Sequence, residues 1–490
     1  MSIRQTISRL EIKPVQIILV LAGLQLFITL FSNNFALSLD EAMAHYIGRN
    51  WFRNGLAPYS GGADNKSPFF YAIYGLSDRL FGVNYWFPRV LGTACECIGI
   101  YYLYKIAKHL SGERAGVLAI SFYGLSLLWH CTDARYTSYT ETFEVLFIIL
   151  SVYFFIKAVN GRGYFISGFL AVLGLAFRLS AVFAIVALFL ASLYRRKVFT
   201  LTFFLGLMAG VFCFAAICLL AGISLRDIYV FTLADNFGAG STSDHYLLWK
   251  FEMGFNMFFY SELVLFYPLV VGYLILKRKV DWLMVWIILE IVGINIIGNY
   301  ARVHLKDLLP PLSLAGAIAA AHIIDTYKLP MPYVMLAVWV CFFPKLLEPV
   351  VTLKRVFMPE PFVSENYTRQ PYIIPDEGLC RKLGLWVRNH TPITEKVYVA
   401  GFGGQVQAYT ERLSPTIYFN VTQTQVAKQR FYRDMQQNKP GMILVPMFAH
   451  YRQYVGADLL NYVDSLVATN YKFDACLYSY NIYKLKPGSN

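Results

Sequence analysis

The sequence predicts a polytopic α-helical membrane protein of about eleven spans, followed by a small C-terminal α/β domain outside the cytoplasm. Of its 490 residues, 57% are hydrophobic and 15% are charged. The mean hydropathy is +0.47. Long apolar runs at this frequency are typical of membrane spans and exclude an ordinary soluble domain. Residues 1–347 should form the transmembrane domain and residues 348–490 the α/β domain.

Eleven apolar runs support the membrane prediction, although two of them are short and lie on either side of Arg178. The first run follows Arg4, Arg9 and Lys13 and is too long for the apolar core of a signal peptide. It therefore predicts an uncleaved first span. The runs lie near residues 14–33, 87–106, 115–131, 141–158, 164–177, 180–194, 199–222, 259–276, 282–298, 308–326 and 332–347.

The formal net charge of +13 comes largely from basic clusters in short loops between these runs. Basic short loops indicate the cytoplasmic side of a membrane protein. The positive charge therefore favours contact with membrane lipid over a nucleic-acid partner. With an odd number of spans, a cytoplasmic N-terminus places the C-terminal domain outside. The clusters are Lys105/Lys108/Arg114, Arg195-Arg196-Lys197 and Lys277-Arg278-Lys279.

Two predicted outer loops are long, residues 34–86 and about 223–258. In the first, Ser38 and Glu41 have capping-box spacing at the start of a helical pattern. A second helix should begin at Pro68. Both helices are predicted to be amphipathic and to lie in the outer membrane interface.

The chain after about residue 360 alternates strand-length apolar runs with helical patterns, which predicts the α/β domain. The predicted strands are 397–402, 415–419, 442–446 and 477–485, and the predicted helices lie around 376–389, 423–438 and 456–469. A disulfide between Cys380 and Cys476 in this segment is an open alternative.

An acidic pair, Asp40 and Glu41, follows the first span. Two carboxylates at the mouth of a span are costly unless water, a metal or a substrate reaches them. Asp40 is a candidate general base, and the alternative is that it only favours a helix N-terminus. The capping box is a complete structural explanation for Glu41. The pair could also hold a divalent cation, Mg²⁺ or Mn²⁺; no other cofactor is expected.

Several cations are predicted on the same outer side. Lys66 precedes the helix at Pro68, and a lysine beside a helix N-terminus suits a phosphate, although a solvated loop lysine is the alternative. Arg135 and Tyr136 follow the third span, where they bind phosphate or anchor the chain at the interface. Arg178 needs an anionic partner, either Glu141 or a lipid phosphate.

The segment 299–311 adds Arg302, His304 and Lys306 at the outer end of two spans. The alternative is that these side chains only reach toward the interface from the membrane. Glu96 and Glu290 lie in the middle of predicted spans, and the sequence offers no partner for either.

The order of these features resembles the GT-C membrane glycosyltransferases. It is most similar to the bacterial relatives of protein O-mannosyltransferases and lipid A aminoarabinose transferases. The resemblance covers about the first 330 residues and departs from the family pattern at Ser67, Arg178 and Asp307. Its segments are the pair Asp40-Glu41, NKSPFFYAIYG, FPRVLGTACECIGIYYLYKIAKHLSGERAG, GLAFRLSAV and HLKDLLPPLSLAGA.

The resemblance implies a bacterial inner-membrane enzyme that uses a polyprenyl-phosphate-linked sugar in the outer leaflet. An acceptor hydroxyl on a glycan, lipid or protein would attack the anomeric carbon with inversion. Asp40 would act as the base, with Glu41 beside it. The implied phosphate contacts are Lys66, Arg135, Arg178 and Lys306, and the implied substrate contacts are Tyr59, Tyr136, Glu141, Arg302 and His304.

A transporter or a lipid-linked sugar flippase is the competing interpretation. Transporters place ionisable residues at the bilayer midplane, often on repeated broken helices. Glu96 and Glu290 fit that pattern, whereas the other candidate residues lie at the outer mouth and no repeat is visible.

Overall fold

The computed structural model describes residues 13–32, 37–129, 131, 137–194, 197–234, 246–297, 300–343, 377–401, 403–420, 425–447 and 457–488. Its contacts divide the chain into two compact units. We call residues 1–32, 88–217 and 242–357 the helical unit. We call residues 33–87, 218–241 and 358–490 the loop unit. The outer loop 34–86 therefore belongs to the same unit as the C-terminal α/β segment.

All eleven predicted apolar runs are mainly helical in the structure. The chain bends at Ser111 and Gly112, where Gly112 has a φ of +86° that a glycine adopts without strain. Each of the following helices lies wholly or mostly in the helical unit: Pro14–Ser32, Trp86–Ser126, Thr140–Lys157, Gly161–Leu175, Ala181–Leu193, Lys197–Leu220, Tyr246–Phe259, Tyr267–Lys277, Trp282–Ile297, Leu309–Tyr327 and Met331–Phe342. Short 3₁₀ helices at Glu262–Phe266 and Arg302–Leu308 precede two of them.

Two described stretches are each long and apolar enough to cross a bilayer, Lys197–Leu220 and Arg302–Tyr327. A bent pair, Lys250–Phe259 and Glu262–Lys277, could form a third span. The other apolar helices found by the same criteria are shorter, so the count of eleven spans stays a prediction. Leu201 and Phe212 are 58% and 73% exposed, as expected for side chains that face lipid.

Two helices of the loop unit, Leu39–Asn54 and Pro68–Phe81, cross in close contact. A Cβ on Gly48 would lie 2.4 Å from the backbone nitrogen of Gly75, so only glycine allows this approach. The capping box is confirmed, because Ser38 accepts the Glu41 N–H and Glu41 accepts the Ser38 N–H. The start at Pro68 is also confirmed.

The predicted amphipathic helix is Leu39–Asn54, and over residues 41–50 it is enclosed by protein on all sides; its position in the membrane interface stays a prediction. All ten residues from Glu41 to Asn50 are buried. The helix packs on Pro68–Phe81 and also on Gly404–Thr410, which the sequence did not predict as a helix. The loop unit thus uses this helix as a core element.

The loop unit also contains a four-stranded sheet, with β1 Val397–Val399, β2 Met442–Pro446, β3 Tyr471–Leu477 and β4 Tyr480–Leu485. The order is β1-β2-β4-β3; β1 and β2 are parallel and the other pairs are antiparallel. The helices around it are Glu377–His390, Gly404–Thr410, Gln425–Gln437 and Ala457–Asn470, three of which the sequence predicted. The unit also contains Leu225–Tyr229 and a π-helical turn, Val230–Ala234.

The predicted strand 415–419 is wrong, and β3 was not predicted. The Thr416 side chain accepts the Tyr418 N–H and the Ser414 side chain accepts the Thr416 N–H. Such local bonds compete with a sheet ladder. Cys380 and Cys476 are both free thiols, so the structure does not contain the disulfide left open above.

Candidate functional site

Three charged side chains of the loop unit meet beside the start of the Pro68 helix. Lys66 Nζ lies 2.9 Å from Asp40 Oδ1 and 3.2 Å from Asp64 Oδ2. It also donates to Asn65 Oδ1 at 3.2 Å, so each of its three N–H donors has an acceptor. We call Asp40, Asp64 and Lys66 the loop triad. The sequence analysis did not single out Asp64, although its position two residues before Lys66 was visible.

The members of the triad differ in exposure. The Asp40 side chain is 41% exposed, that of Lys66 18% and that of Asp64 9%. Glu41, the neighbour of Asp40, is fully buried and takes part in the capping box. Asp40 is therefore the carboxylate of the predicted acidic pair that a substrate can reach.

The triad contains two carboxylates and one ammonium. Burial lowers the pKa of Lys66, but the adjacent Asp40 and Asp64 outweigh burial and raise the pKa above its ordinary value. The lysine is therefore charged at neutral pH. Its positive charge balances one of the two carboxylates. The other carboxylate can accept a proton or bind a cation.

Two buried tyrosines hold the backbone of Lys66. The Tyr59 hydroxyl donates to the Lys66 carbonyl at 2.7 Å, and the Tyr71 hydroxyl accepts the Lys66 N–H at 3.1 Å. Tyr59 has a φ of +68° and its ring stacks on Phe231 at 5.2 Å. Tyr59 is only 1% exposed, so its contacts favour a role in positioning Lys66 over the predicted substrate contact.

A second charged cluster lies in the helical unit and surrounds Arg178. Its Nη1 lies 2.5 Å from Asp307 Oδ2, 3.3 Å from Glu141 Oε1 and 3.7 Å from Glu144 Oε2. The sequence named Glu141 as a partner but missed Glu144 and Asp307. We call these four residues, all at most 13% exposed in their side chains, the buried cluster.

Most of the other predicted residues of the helical unit also have partners. Lys306 Nζ lies 3.0 Å from Glu96 Oε1 and donates to Thr142 at 3.1 Å. Glu290 accepts the indole N–H of Trp286 at 2.9 Å. Both acids of the predicted span centres therefore have partners. His304 Nε2 lies 3.7 Å from Glu141 Oε1, and Arg302 is exposed.

Arg135 and Tyr136 lie outside the described residues. The predicted grouping of Arg135, Lys66, Arg178 and Lys306 around one phosphate stays a prediction. Within the described ranges, no group of three or more His, Cys, Asp and Glu side chains could hold a metal ion. A metal bound by Asp40 and Glu41 also stays a prediction.

A buried network that the sequence analysis missed supports the Leu39 helix. Arg49 Nε and Arg53 Nε lie 3.1 and 2.5 Å from the Asp78 carboxylate, and Arg49 also donates to the Ala408 carbonyl at 2.8 Å. His45 Nε2 accepts the N–H of Asn84 at 3.2 Å. The sequence contained a signal for this network, because His45, Arg49 and Arg53 are spaced by four residues and therefore lie on one face of the helix.

Comparisons with known proteins bear on the class of this chain. The family Dolichyl-phosphate-mannose-protein mannosyltransferase matches residues 65–220. This segment contains Lys66, Glu141, Glu144 and Arg178. A search of the curated proteins found no match to the chain.

Solved structures match over almost the whole chain. ArnT from Cupriavidus metallidurans, bound to undecaprenyl phosphate, has a TM-score of 0.63 at 13% identity and covers 97% of this chain and 98% of its own. The Archaeoglobus fulgidus oligosaccharyltransferase has a TM-score of 0.54 at 10% identity, covering 88% and 68%. The mycobacterial arabinofuranosyltransferase AftD has a TM-score of 0.51 at 14% identity, covering 95% and 41%.

These likenesses show the fold. The chain has the GT-C fold of membrane glycosyltransferases, which confirms the fold that the sequence motifs predicted. It is a membrane protein of that fold, and its mannosyltransferase-like segment begins one residue before Lys66.

Proposed function

We propose that this protein is a glycosyltransferase that moves a sugar from a polyprenyl-phosphate donor to an acceptor hydroxyl. The observation that carries the proposal is the accessible Asp40 carboxylate, held 2.9 Å from the Lys66 ammonium. The name of the matched family and the undecaprenyl phosphate bound to ArnT support this donor class.

In the proposed reaction the acceptor oxygen attacks the anomeric carbon of the donor sugar. A new carbon–oxygen bond forms while the bond from that carbon to the phosphate oxygen breaks. The electron pair leaves with the polyprenyl phosphate, and the hydroxyl proton passes to Asp40. Attack opposite the leaving group inverts the anomeric centre. A positioned base of this kind contributes about 10²–10⁴ in rate.

Asp64 and Lys66 set the charge state around Asp40. Asp64 is the less exposed carboxylate and can remain paired with Lys66 while Asp40 turns toward the acceptor. Lys66 is then available to stabilise negative charge on the leaving phosphate by exchanging one of its three contacts. Charge-assisted contacts of this kind are strong where water is scarce.

The proposed phosphate contacts of the helical unit meet an obstacle. Arg178 already has three carboxylates within 3.7 Å, and Lys306 has Glu96. A phosphate would have to displace or neutralise these acids. Their contacts favour a structural role, and a role in donor binding stays a prediction for Arg178, Lys306 and the undescribed Arg135.

The proposed acceptor is a glycan, a lipid or a protein, and the proposed location is the outer face of a bacterial inner membrane. An Asn54→Cys variant without its native exposed cysteines tests the orientation. An impermeant maleimide should label it in intact cells. Labelling only after permeabilisation would contradict the proposed side of the reaction.

A flippase is the second candidate, favoured by the buried acids of the helical unit. The two functions differ in the fate of the sugar–phosphate bond. Proteoliposomes are supplied with radiolabelled undecaprenyl-phosphate-linked mannose or arabinose and a membrane extract as the acceptor source. A glycosyltransferase releases undecaprenyl phosphate and labels an acceptor. Movement of intact lipid-linked sugar across the bilayer, without release, would support the flippase instead.

A further inference from the structure

A polar cleft lies in the loop unit, apart from the residues of the loop triad. Its volume is about 250 Å³. Leu56, Ser60 and Gly61 of the outer loop form one edge, and residues of the C-terminal segment form the remainder. The proposed transfer reaction assigns no role to this cleft.

Several polar side chains that line the cleft are held by contacts with one another. Lys396 Nζ donates to Asn438 Oδ1 at 2.8 Å, and the Thr416 hydroxyl donates to Asp434 Oδ2 at 3.2 Å. Arg430 Nε lies 3.8 Å from the same Asp434 oxygen. This Nε is shielded from solvent and makes no hydrogen bond within the described part of the chain.

Aliphatic side chains also line the cleft. They are Leu56, Leu413, Pro415 and Ile417. A lining that combines aliphatic side chains with amide, carboxylate and guanidinium groups suits a sugar ring. The ring has C–H groups that pack on aliphatic side chains and hydroxyls that need both donors and acceptors.

Size and charge limit the ligand further. Typical small-molecule sites have volumes of roughly 300–1,000 Å³, so this smaller cleft fits about one ring. Lys396 and Arg430 could attract a phosphate, but the Asp434 carboxylate, which lies 3.8 Å from Arg430 Nε, would repel it. A carboxylate that accepts hydrogen bonds from hydroxyls favours a neutral polyhydroxylated ligand.

We propose that this cleft binds a single sugar ring of the acceptor glycan. Sugar binding itself rests only on the cleft; the assignment to the acceptor rests on the proposed transfer function. The cleft would then hold the acceptor through a ring other than the one that reacts.

The test is saturation-transfer NMR on the full-length protein in detergent. The probes are the methyl glycosides of glucose, galactose, mannose, arabinose and N-acetylglucosamine, with inorganic phosphate as a competitor. At least one glycoside should bind. Asp434→Asn and Asn438→Ala should each weaken binding by about tenfold or more, because a sugar hydroxyl loses a strong partner. Gln429→Ala, at an exposed neighbouring position on the same helix, should not.

Equal melting temperatures of the variants and the wild type would show that the fold is intact. The proposal is wrong if no glycoside binds, if binding is unchanged in both cleft variants, or if phosphate displaces every glycoside. If the protein releases polyprenyl phosphate but binds no glycoside, the assignment of the cleft is wrong and the proposed function stands. Glycoside binding without any transfer supports the cleft and contradicts the proposed function.

Discussion

The loop triad and the buried cluster each place one cation among carboxylates, but they differ in access to solvent. In the triad, the Asp40 side chain is 41% exposed. In the buried cluster, Arg178 is 13% exposed and each of its three carboxylate partners is 4% exposed or less. A carboxylate that accepts a proton from a substrate has to be reachable. The comparison therefore separates charges suited to chemistry from charges suited to holding helices together.

Removal of the central cation should expose the difference most strongly. Arg178→Met leaves Glu141, Glu144 and Asp307 without their cation in a buried site. Breaking a buried ion pair from one side typically destabilises a protein by about 3–5 kcal/mol. We expect a large fall in melting temperature in detergent and poor yield of folded protein.

The matched control for this variant is Arg388→Met in the loop unit. Arg388 pairs with Glu411 at 2.6 Å but is 45% exposed, and such surface pairs contribute about 0–1 kcal/mol. An Arg178 variant that melts like the Arg388 variant would show that the buried cluster does not hold the helices.

The opposite behaviour is expected at Lys66. Lys66→Met should lose less stability than Arg178→Met, because Asp40 remains open to solvent, but it should transfer sugar about 10²–10³ times more slowly, the usual effect of removing one preorganised electrostatic contact. Lys428→Met, which breaks a pair of 2.8 Å with Asp458 in the same unit, should transfer at the normal rate. Equal rates for both lysine variants would remove Lys66 from the mechanism.

The tyrosine contacts of the triad predict a smaller effect. Tyr59→Phe loses the hydrogen bond to the Lys66 carbonyl, a contribution of about 0.5–1.5 kcal/mol, and should slow transfer by roughly tenfold or less. Tyr471→Phe loses a bond of the same length, 2.7 Å, to the Pro440 carbonyl. It should cost similar stability without slowing transfer. If both variants have the same kinetics, Tyr59 does not position Lys66.

The smallest expected effect is a pH dependence of stability from His45. Burial, with the nearby Arg49, lowers its pKa well below the ordinary value, and Asn84 donates to its unprotonated Nε2. As the pH falls, the unfolded chain therefore binds a proton at His45 at a higher pH than the folded protein does. The contribution of neutral His45 to the stability of the folded protein is complete above about pH 6.5 and is lost as the pH falls below that value.

Melting temperatures of the wild type and His45→Gln between pH 7 and pH 5 test this contribution. The wild type should lose more stability than the variant over that range. His109→Gln, at an exposed position, serves as the control and should follow the wild type. Parallel curves for all three proteins would contradict a neutral buried His45.

Local sequence patterns predicted much of the fold. The capping box at Ser38, the helix start at Pro68 and the helical apolar runs depend on spacing within a few residues, which the sequence displays directly. Its pattern also led to Asp40 and Lys66. The strand at 415–419 failed because side-chain bonds from Ser414 and Thr416 engage the backbone there.

The partners of the charged residues were harder to predict. Lys306 and Glu96 are separated by 210 positions in the chain, and Arg178 and Asp307 by 129. Pairing over such distances depends on how helices pack, which periodicity alone does not specify. The sequence could therefore name the charges that need partners, but it could not show which of them are already neutralised.

The central claim is that Asp40, the accessible member of the acidic pair, accepts the proton during sugar transfer. The most direct test measures release of polyprenyl phosphate by Asp40→Asn and Glu41→Gln in parallel, with both proteins shown to be folded. We predict a loss of about 10²–10⁴ for Asp40→Asn. Glu41→Gln should stay within about tenfold of the wild type, because glutamine also completes a capping box. A near-normal rate for Asp40→Asn, or an equal loss in both variants, would contradict the account.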